Sequence, residues 1–258
     1  TAVGYNALTA NTTGDENTAV GALSLDANTT GTDNTALGYQ SLSANTTASN
    51  NVSIGRKSML VNTTGAKNTA VGAQALDANT TANQNTAVGY QALTANTTGA
   101  KNVALGADNM LVNTTGANNV ALGYGALQVN TTASNNTAVG YLSLFSNTTG
   151  HSNVSVGAYS IYANTQSNRN TALGYNTLSS HNLTSDINGY NTVVGFQAGA
   201  DVTTGVQNTL IGGLAGDALT TGFNNVALGY FALGGEDTGR KNVAIGVSAL
   251  KVQNSDVD

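Results

Sequence analysis

The pentapeptide Asn-Thr-Ala-Val-Gly at residues 17–21 decides how this 258-residue chain folds. It returns, with conservative changes, every 17 residues, except for one step of 21 residues between Asn170 and Asn191. Its later copies begin at Asn34, Asn51, Asn68, Asn85, Asn102, Asn119, Asn136, Asn153, Asn170, Asn191, Asn208, Asn225 and Asn242. A fixed period of this kind, with no helical periodicity, is typical of a solenoid. The sequence therefore predicts fifteen stacked coils, the first of which starts at the second position of the repeat.

Each coil is predicted to contain one short β-strand. When the asparagine is counted as position one, the consensus reads NTAVGYQALxANTTGxx, and position four is aliphatic in every coil. Three strand-compatible residues are followed by a glycine in every coil, which indicates a tight corner or a close backbone contact. Positions two and four lie on one face of such a strand and position three on the other. Because neither face is charged, both are predicted to be buried.

Identical side chains of successive coils are predicted to stack into ladders. The asparagine columns at positions one and twelve are expected to hydrogen-bond along the solenoid axis. Position nine carries a second apolar ladder, which favours a second short strand around positions seven to eleven. The Asn-Thr-Thr-Gly segment at positions twelve to fifteen contains turn-forming residues and is predicted to be the return corner. The structural ladder is represented by Asn17, Gly21, Asn68, Gly72, Asn136, Gly140, Asn242 and Gly246.

The composition excludes several classes of function. The net charge is −5 and the lysines and arginines form no run, so the chain lacks the electrostatic footprint of a nucleic-acid-binding protein. It has no cysteine, which excludes thiolate metal sites and disulfides, and no cofactor is expected. No apolar run approaches about 18 residues, so we expect no membrane insertion in this segment.

One irregular coil divides the repeats. The three resulting segments are regular NTTG-type repeats at 1–169, a long coil with a four-residue insertion at 170–190, and variant repeats with the C-terminal end at 191–258. Position twelve marks the change, because asparagine occupies it in ten successive coils from Asn11 to Asn164. In the later coils this position is taken by Val202, Leu219 and Glu236.

The long coil is the candidate functional site. Functional residues are often carried by loops on a rigid scaffold, and the inserted residues must bulge outward if the ladders are to continue. The functional interpretation is a receptor-contact loop, whereas a tolerated insertion at a junction between two repeat types is the preferred interpretation. The predicted contact residues are His181, Asn182, Asp186, Asn188 and Tyr190.

Two other columns suggest further possibilities. Tyrosine recurs at position six, where its rings could stack on sugars or pack across a subunit interface, and packing is the preferred interpretation. Threonine fills most of position fourteen, where a regular array could order water and bind ice or could simply cap the turn. The repeated Asn-Thr-Thr triplets also match N-glycosylation acceptors, although the repeat period alone explains them.

Catalysis is not expected. His151 and His181 are the only histidines, and no nucleophile–base set or phosphate-binding loop is apparent. A carboxylate pair around Asp201 and Asp217 could be assembled across chains, but acids on a solvated loop are more often surface charge. The few apolar side chains of each coil give a thin core, which favours association of several chains. We therefore expect the alanine face to be buried against a second or third copy.

The repeats resemble the head repeats of trimeric autotransporter adhesins (Hep/Hag type) and related repeats in phage tail fibres. The shared element is an Asn-x-Ala-aliphatic-Gly strand, for example at residues 68–72, followed by a short polar return, and it covers all fifteen coils. The resemblance implies a left-handed parallel β-roll, three chains side by side, and a role as an extracellular stalk or adhesive head. The return loop is longer here than in those adhesin heads.

The predicted function is a structural and adhesive segment of an extracellular fibre on a bacterial surface or a virion. Its predicted partners are two further copies of itself, in a homotrimer, and a cell-surface carbohydrate or protein receptor. The alternative is a monomeric ice-binding or surface-ordering β-solenoid. A third hypothesis is a tail-spike enzyme that depolymerises a polysaccharide through paired acids.

Overall fold

The computed structural model describes residues 1–235 and 237–251. Over these residues the chain is an all-β parallel solenoid with one short strand in each coil and no helix, which confirms the predicted fold class at this level. The strands are β1 (Ala2–Val3), β2 (Thr18–Val20), β3 (Thr35–Leu37), β4 (Val52–Ile54), β5 (Thr69–Val71), β6 (Thr86–Val88), β7 (Val103–Leu105), β8 (Val120–Leu122), β9 (Thr137–Val139), β10 (Val154–Val156), β11 (Thr171–Leu173), β12 (Thr192–Val194), β13 (Thr209–Ile211), β14 (Val226–Leu228) and β15 (Val243–Ile245).

The described coils form two compact units. Unit 1 comprises Thr1–Gly125 and Val129–Thr132 and contains β1 to β8. Unit 2 comprises Ala126–Gln128 and the described residues from Ala133 onward, and it contains β9 to β15. Of the variant segment predicted at 191–258, Glu236 and residues 252–258 lie outside the described residues. The whole long coil at 170–190 lies in unit 2.

Within each unit, consecutive strands pair in parallel and in register. Thr69 lies opposite Thr86, one repeat of 17 residues later. The pairing of β11 with β12 is the exception, because Thr171 lies opposite Thr192 across the insertion. Since the equivalent positions still face each other there, the four extra residues are accommodated outside the ladder.

The alanine face of each strand is the core of its own coil. Ala19, Ala70 and Ala121 are fully buried within the single chain. The opposite face is partly exposed, with 45% of Leu37 and 42% of Leu122 accessible. Within the single chain only the alanine face is buried, so the expectation that the alanine face awaits another copy was wrong. A narrow coil has room for a methyl group at position three, and the larger aliphatic side chains point outward.

The prediction of a second strand around positions seven to eleven was wrong. In the coil of β2, Leu23 and Leu25 have φ angles of 57° and 52°, which belong to left-handed rather than extended backbone. Ser24 and Leu25 are both fully buried, and a strand cannot direct two consecutive side chains to the same face. The chain instead forms successive turns whose amides still bond between coils, as Leu25 N–H does to the Ser41 carbonyl at 3.0 Å.

The glycine at position five permits close contact between coils. Gly72 has a φ of 139°, which L side chains rarely adopt. A Cβ atom placed there would lie 2.3 Å from the carbonyl oxygen of Gly89 in the next coil. The glycine column is therefore required by both backbone conformation and space.

Two buried asparagines close each regular coil. Asn68 and Asn79, at positions one and twelve, both donate from Nδ2 to the carbonyl of Ala82, at 2.9 and 3.2 Å. Asn79 also donates to Oδ1 of Asn62 in the preceding coil at 2.7 Å, and the Asn85 N–H donates to Asn68 Oδ1 at 2.9 Å. The predicted hydrogen-bonded asparagine columns are thereby confirmed, and they tie the return corner to the start of the strand.

The two coils after the insertion use a different core. Leu210 replaces alanine at position three, and Gly199 and Gly216 replace leucine at position nine. Cβ atoms at Gly199 and Gly216 would lie 3.0 and 2.9 Å from the methyl groups of Leu210. The bulk has thus moved from position nine to position three, which conserves the packed volume.

The adjacent glycines Gly212 and Gly213 provide a matched test of the corner. A Gly212→Ala change places Cβ 2.3 Å from the Gly229 carbonyl oxygen at a φ of 136°, so we expect a loss of more than about 3 kcal/mol of unfolding free energy. Gly213→Ala meets nothing closer than the Tyr230 ring at 3.5 Å and should change stability by less than about 1 kcal/mol. Urea unfolding followed by circular dichroism measures both. Equal stability of the two variants would contradict the corner assignment.

Removing a closing asparagine should be costly because its partners are buried. Asn68→Ala leaves the Asn85 N–H without its acceptor and removes one of the two donors to the Ala82 carbonyl. We expect the free energy of unfolding to fall by about 2–4 kcal/mol. The neighbouring exposed Lys67→Ala is the control and should stay within about 0.5 kcal/mol of the wild type. Thermal and urea unfolding measure the stability of both variants. Equal stability would contradict a stabilising role of the asparagine ladder.

Candidate functional site

The insertion of the long coil forms an exposed bulge between Asn182 and Asn188. Ile187 is 50% exposed, and Thr184, Ser185 and Asp186 are also exposed. The coil closes again at Asn188, which forms a parallel bridge with Asn168 of the preceding coil. Four extra residues therefore leave and rejoin the solenoid without disturbing the strand that follows.

An arginine of the preceding coil lies against the C-terminal side of this bulge. Arg169 donates from Nη1 to Asn188 Oδ1 and to the Tyr190 hydroxyl, the latter at 3.4 Å. Its guanidinium carbon lies 5.8 Å from the centre of the Tyr190 ring, which is within the range of a cation–π interaction. Arg169 and Tyr190 are both exposed. The arrangement holds one positive charge at a fixed place on the surface.

Asp186 is connected to the same preceding coil. Its Oδ1 accepts a hydrogen bond from Asn168 Nδ2 and lies 3.9 Å from His151 Nε2. The histidine–aspartate contact is solvent-exposed, so it contributes little to stability. The hydrogen bond from Asn168 is the firmer link between the bulge and the solenoid.

Asn182 replaces a backbone acceptor of the hydrogen-bond ladder where the insertion begins. Its Oδ1 accepts from the N–H and from the hydroxyl of Thr165, at 3.2 and 2.7 Å, in place of a backbone carbonyl. Its own N–H donates to the Thr203 carbonyl of the next coil at 2.8 Å. The half-buried side chain therefore has a structural role.

His181 occupies position twelve, where the preceding coils carry asparagine. It is fully buried, and its Nε2 lies 3.0 Å from Ser167 Oγ. Its Nδ1 is buried without a hydrogen-bond partner. Burial lowers the pKa of the imidazole from 6.5 to about 4, against a smaller opposing effect of the Thr203 backbone. The ring is therefore neutral in the folded chain at physiological pH.

The structure thus divides the five predicted contact residues into two groups. Asp186, Asn188 and Tyr190 reach the surface of the bulge, whereas His181 and Asn182 serve the interior of the coil. Sequence reasoning missed Arg169, which joins the exposed group from the preceding coil. The available signal was its place at position seventeen, directly beside the repeat into which the insertion falls.

Aromatic side chains concentrate on unit 2 near the long coil. The ring of Tyr159 packs edge-on against Tyr141 and Tyr175, with centroid distances of 5.4 and 6.1 Å. Tyr175 in turn stacks on Phe196 at 5.5 Å. About half of the Tyr141, Tyr175 and Phe196 side chains is exposed. These rings form a continuous aromatic strip of partly exposed side chains.

The described residues contain no metal-binding group of three or more His, Cys, Asp or Glu side chains. Asp217 has a pKa raised mainly by burial and to a lesser extent by the charge of Asp201, and its Oδ1 has no hydrogen-bond partner. Asp201 itself is exposed. Within one chain the two acids therefore differ in environment, with Asp217 partly buried and Asp201 solvated.

Comparison with known proteins does not supply an identity. No protein-family model, no curated protein and no solved structure matches this chain. The described part of the chain contains no long apolar helix that could span a membrane. The geometry of the coils and of the bulge therefore carries the functional argument.

Acid should destabilise the long coil through His181. The folded pKa is about 4 and the unfolded value is 6.5, so only the unfolded chain takes up this proton between those two pH values. The free energy of unfolding should therefore fall by about 3 kcal/mol as the pH decreases from 6.5 to 4, and this term should be absent above 6.5. Urea titrations across this range measure it.

The matched variants are His181→Asn, which restores the residue of the preceding coils, and His151→Asn at the partly exposed histidine. His181→Asn should flatten the pH dependence in this window, and His151→Asn should leave it close to that of the wild type. The assignment fails if the wild type and His181→Asn lose stability in parallel.

Proposed function

We propose that this chain is a structural and adhesive segment of an extracellular homotrimeric fibre, without catalytic turnover. The observation that carries the proposal is the outer face of the strands, where an aliphatic side chain at position four is at least partly accessible in every described coil. Positions two, four and six of the strand and corner point outward, as with Leu37, Tyr39 and Leu122, which are 45, 47 and 42% exposed. Contiguous apolar surface of this kind is characteristic of an interaction face.

Association of several copies through this outer face would bury additional apolar surface and so stabilise coils whose own core is small. The alanine core inside each coil is already complete, so association would bury apolar surface of the outer columns instead. The tyrosines at position six suit a subunit interface, because tyrosine is enriched at such contacts. The resemblance of the Asn-x-Ala-aliphatic-Gly strand to trimeric adhesin and tail-fibre repeats favours three copies side by side in a β-roll.

The adhesive part of the proposal rests on the bulge of the long coil. It is the one irregular coil in an otherwise periodic chain, and its exposed side chains stand outside the ladder. Three copies would present three such bulges, and linked sites multiply weak contacts. A cell-surface carbohydrate or protein is the corresponding receptor, and a bacterial surface or a virion the corresponding location.

A second candidate function is ice binding or surface ordering by a monomer. The threonines at position fourteen favour it, because Thr30 and Thr47 are exposed and recur one coil apart. The residues beside them form the return turn and not a strand, which makes the array less flat than the sheet itself. We therefore place this function second.

A pair of charges on the outer face tests the trimer. We expect the wild type to sediment as a trimer and the Leu37→Asp/Leu122→Asp variant as a monomer, because each trimer would bury six carboxylates without partners. The control is Thr47→Asp/Thr132→Asp, which places the same charges on the exposed return corner and should remain trimeric. Analytical ultracentrifugation distinguishes these species.

A wild-type chain that sediments as a monomer at micromolar concentration would contradict the homotrimer. Thermal hysteresis of the same sample would then decide for the ice-binding function. Failure of the trimer to attach to any bacterial or animal cell surface in a binding assay would contradict the adhesive part of the proposal.

A further inference from the structure

We propose that Arg169, Asn188 and Tyr190 form a binding site for a carboxylate-bearing sugar of a surface polysaccharide. The site combines a fixed guanidinium, an aromatic ring and a bulge of exposed polar side chains on the long coil. This inference rests on the proposed adhesive function and names the chemical class of the receptor.

The guanidinium of Arg169 is held in place with its binding edge free. Nη1 is engaged by Asn188 and by the Tyr190 hydroxyl, and the Tyr190 ring lies against the guanidinium at 5.8 Å. The described residues provide no hydrogen-bond partner for Nε and Nη2 of this arginine. These two nitrogens form the planar edge that binds a carboxylate through two parallel hydrogen bonds.

This cation also lacks a counter-ion. Among the described residues, no carboxylate forms an ion pair with Arg169, and Asp186 of the same bulge is directed to Asn168 and His151 instead. Binding a ligand normally costs side-chain entropy because a mobile arginine becomes fixed. Here the contacts with Asn188 and Tyr190 already restrict Arg169 in the free chain. A preorganised, exposed and unpaired guanidinium is suited to an anionic ligand.

The surroundings select a sugar with a single negative charge. The chain carries a net charge of −5, and no second lysine or arginine lies next to Arg169 in the sequence, so a densely charged polyanion would be repelled. Thr184 and Ser185 expose hydroxyl groups, which can bond the hydroxyls of a sugar. Ile187, which is 50% exposed, offers an apolar contact for the carbon face of a pyranose ring.

Arg169 is also an unusual member of its own column. Position seventeen carries different residues in different coils, among them the exposed lysines Lys67 and Lys101, whose coils have no insertion behind them. Arg169 is the one described residue of the column that donates a hydrogen bond to the long coil's Asn188. The insertion therefore turns a surface charge into a positioned one.

The test uses immobilised carboxylated glycans together with their neutral counterparts. The probes are galacturonic acid, a hyaluronan disaccharide and an oligosaccharide with one sialic acid, each of which carries one carboxylate and is compared with its methyl-esterified form. We expect the full chain to bind at least one acid form about tenfold or more tightly than its ester, because the ester cannot accept the charge-assisted pair. Binding should weaken as salt is raised from 50 to about 300 mM.

Variants at position seventeen locate the site. Arg169→Gln should lose the preference for the acid form, and Arg169→Lys should retain only part of it, because lysine keeps the charge but not the planar fork. Lys101→Gln removes the same charge from the same position of a regular coil and should bind as the wild type does. The melting temperature of each variant confirms that it is folded.

The inference is overturned if no acid form is preferred over its ester, or if Arg169→Gln and Lys101→Gln bind alike. Either result leaves the adhesive fibre standing, provided that the wild-type trimer still attaches to cells. Loss of both trimerisation and cell attachment in the wild type would instead show that the proposed function itself is wrong.

Discussion

The buried asparagine pair is the interaction on which each regular coil depends. A strand of three residues is too short to hold a coil by itself, and the second limb consists of turns. Positions one and twelve meet at one carbonyl, as Asn51 and Asn62 do at Gly65 with distances of 2.9 Å each. Because buried amides need their hydrogen bonds, a change of repeat length must keep the asparagine columns in phase, as the long coil does by leaving Asn191 bonded to Asn170 Oδ1 at 3.2 Å. This accounts for a spacing that varies only once.

That single variation occurs where the asparagine column ends. Asn164 is the last asparagine at position twelve, His181 follows it, and Val202 begins an apolar column. His181 has one ring nitrogen hydrogen-bonded to Ser167 and the other buried without a partner. Its side chain is therefore intermediate between the fully hydrogen-bonded asparagines before it and the apolar residues after it. The insertion thus falls in the coil whose position twelve holds a buried ring nitrogen without a partner.

The parts of the fold that the sequence predicted are the local and periodic ones. The strands, the glycine corner at Gly72 and the asparagine columns each depend on residues that repeat at a fixed phase. The orientation of the strand was not predictable from apolarity, because alanine and valine are both uncharged and only the width of the coil selects the smaller one for the interior. Counting the phase would have placed His181 inside, at position twelve. The sequence placed Arg169 beside the insertion, but its contacts with Asn188 and Tyr190 depend on a path of the inserted residues that no repeat specifies.

Regularity and recognition make opposite demands on this chain. In regular coils the cations of position seventeen, such as Lys67 and Lys101, are exposed and have no inserted residues beside them. Recognition requires that a side chain be held by neighbours that its equivalents lack, and only an interruption of the period can supply them. The long coil does so for Arg169 through Asn188 and Tyr190, while the in-register pairing of β11 with β12 keeps the scaffold intact. Specific binding is therefore expected where the repeat breaks, and association between copies where it does not.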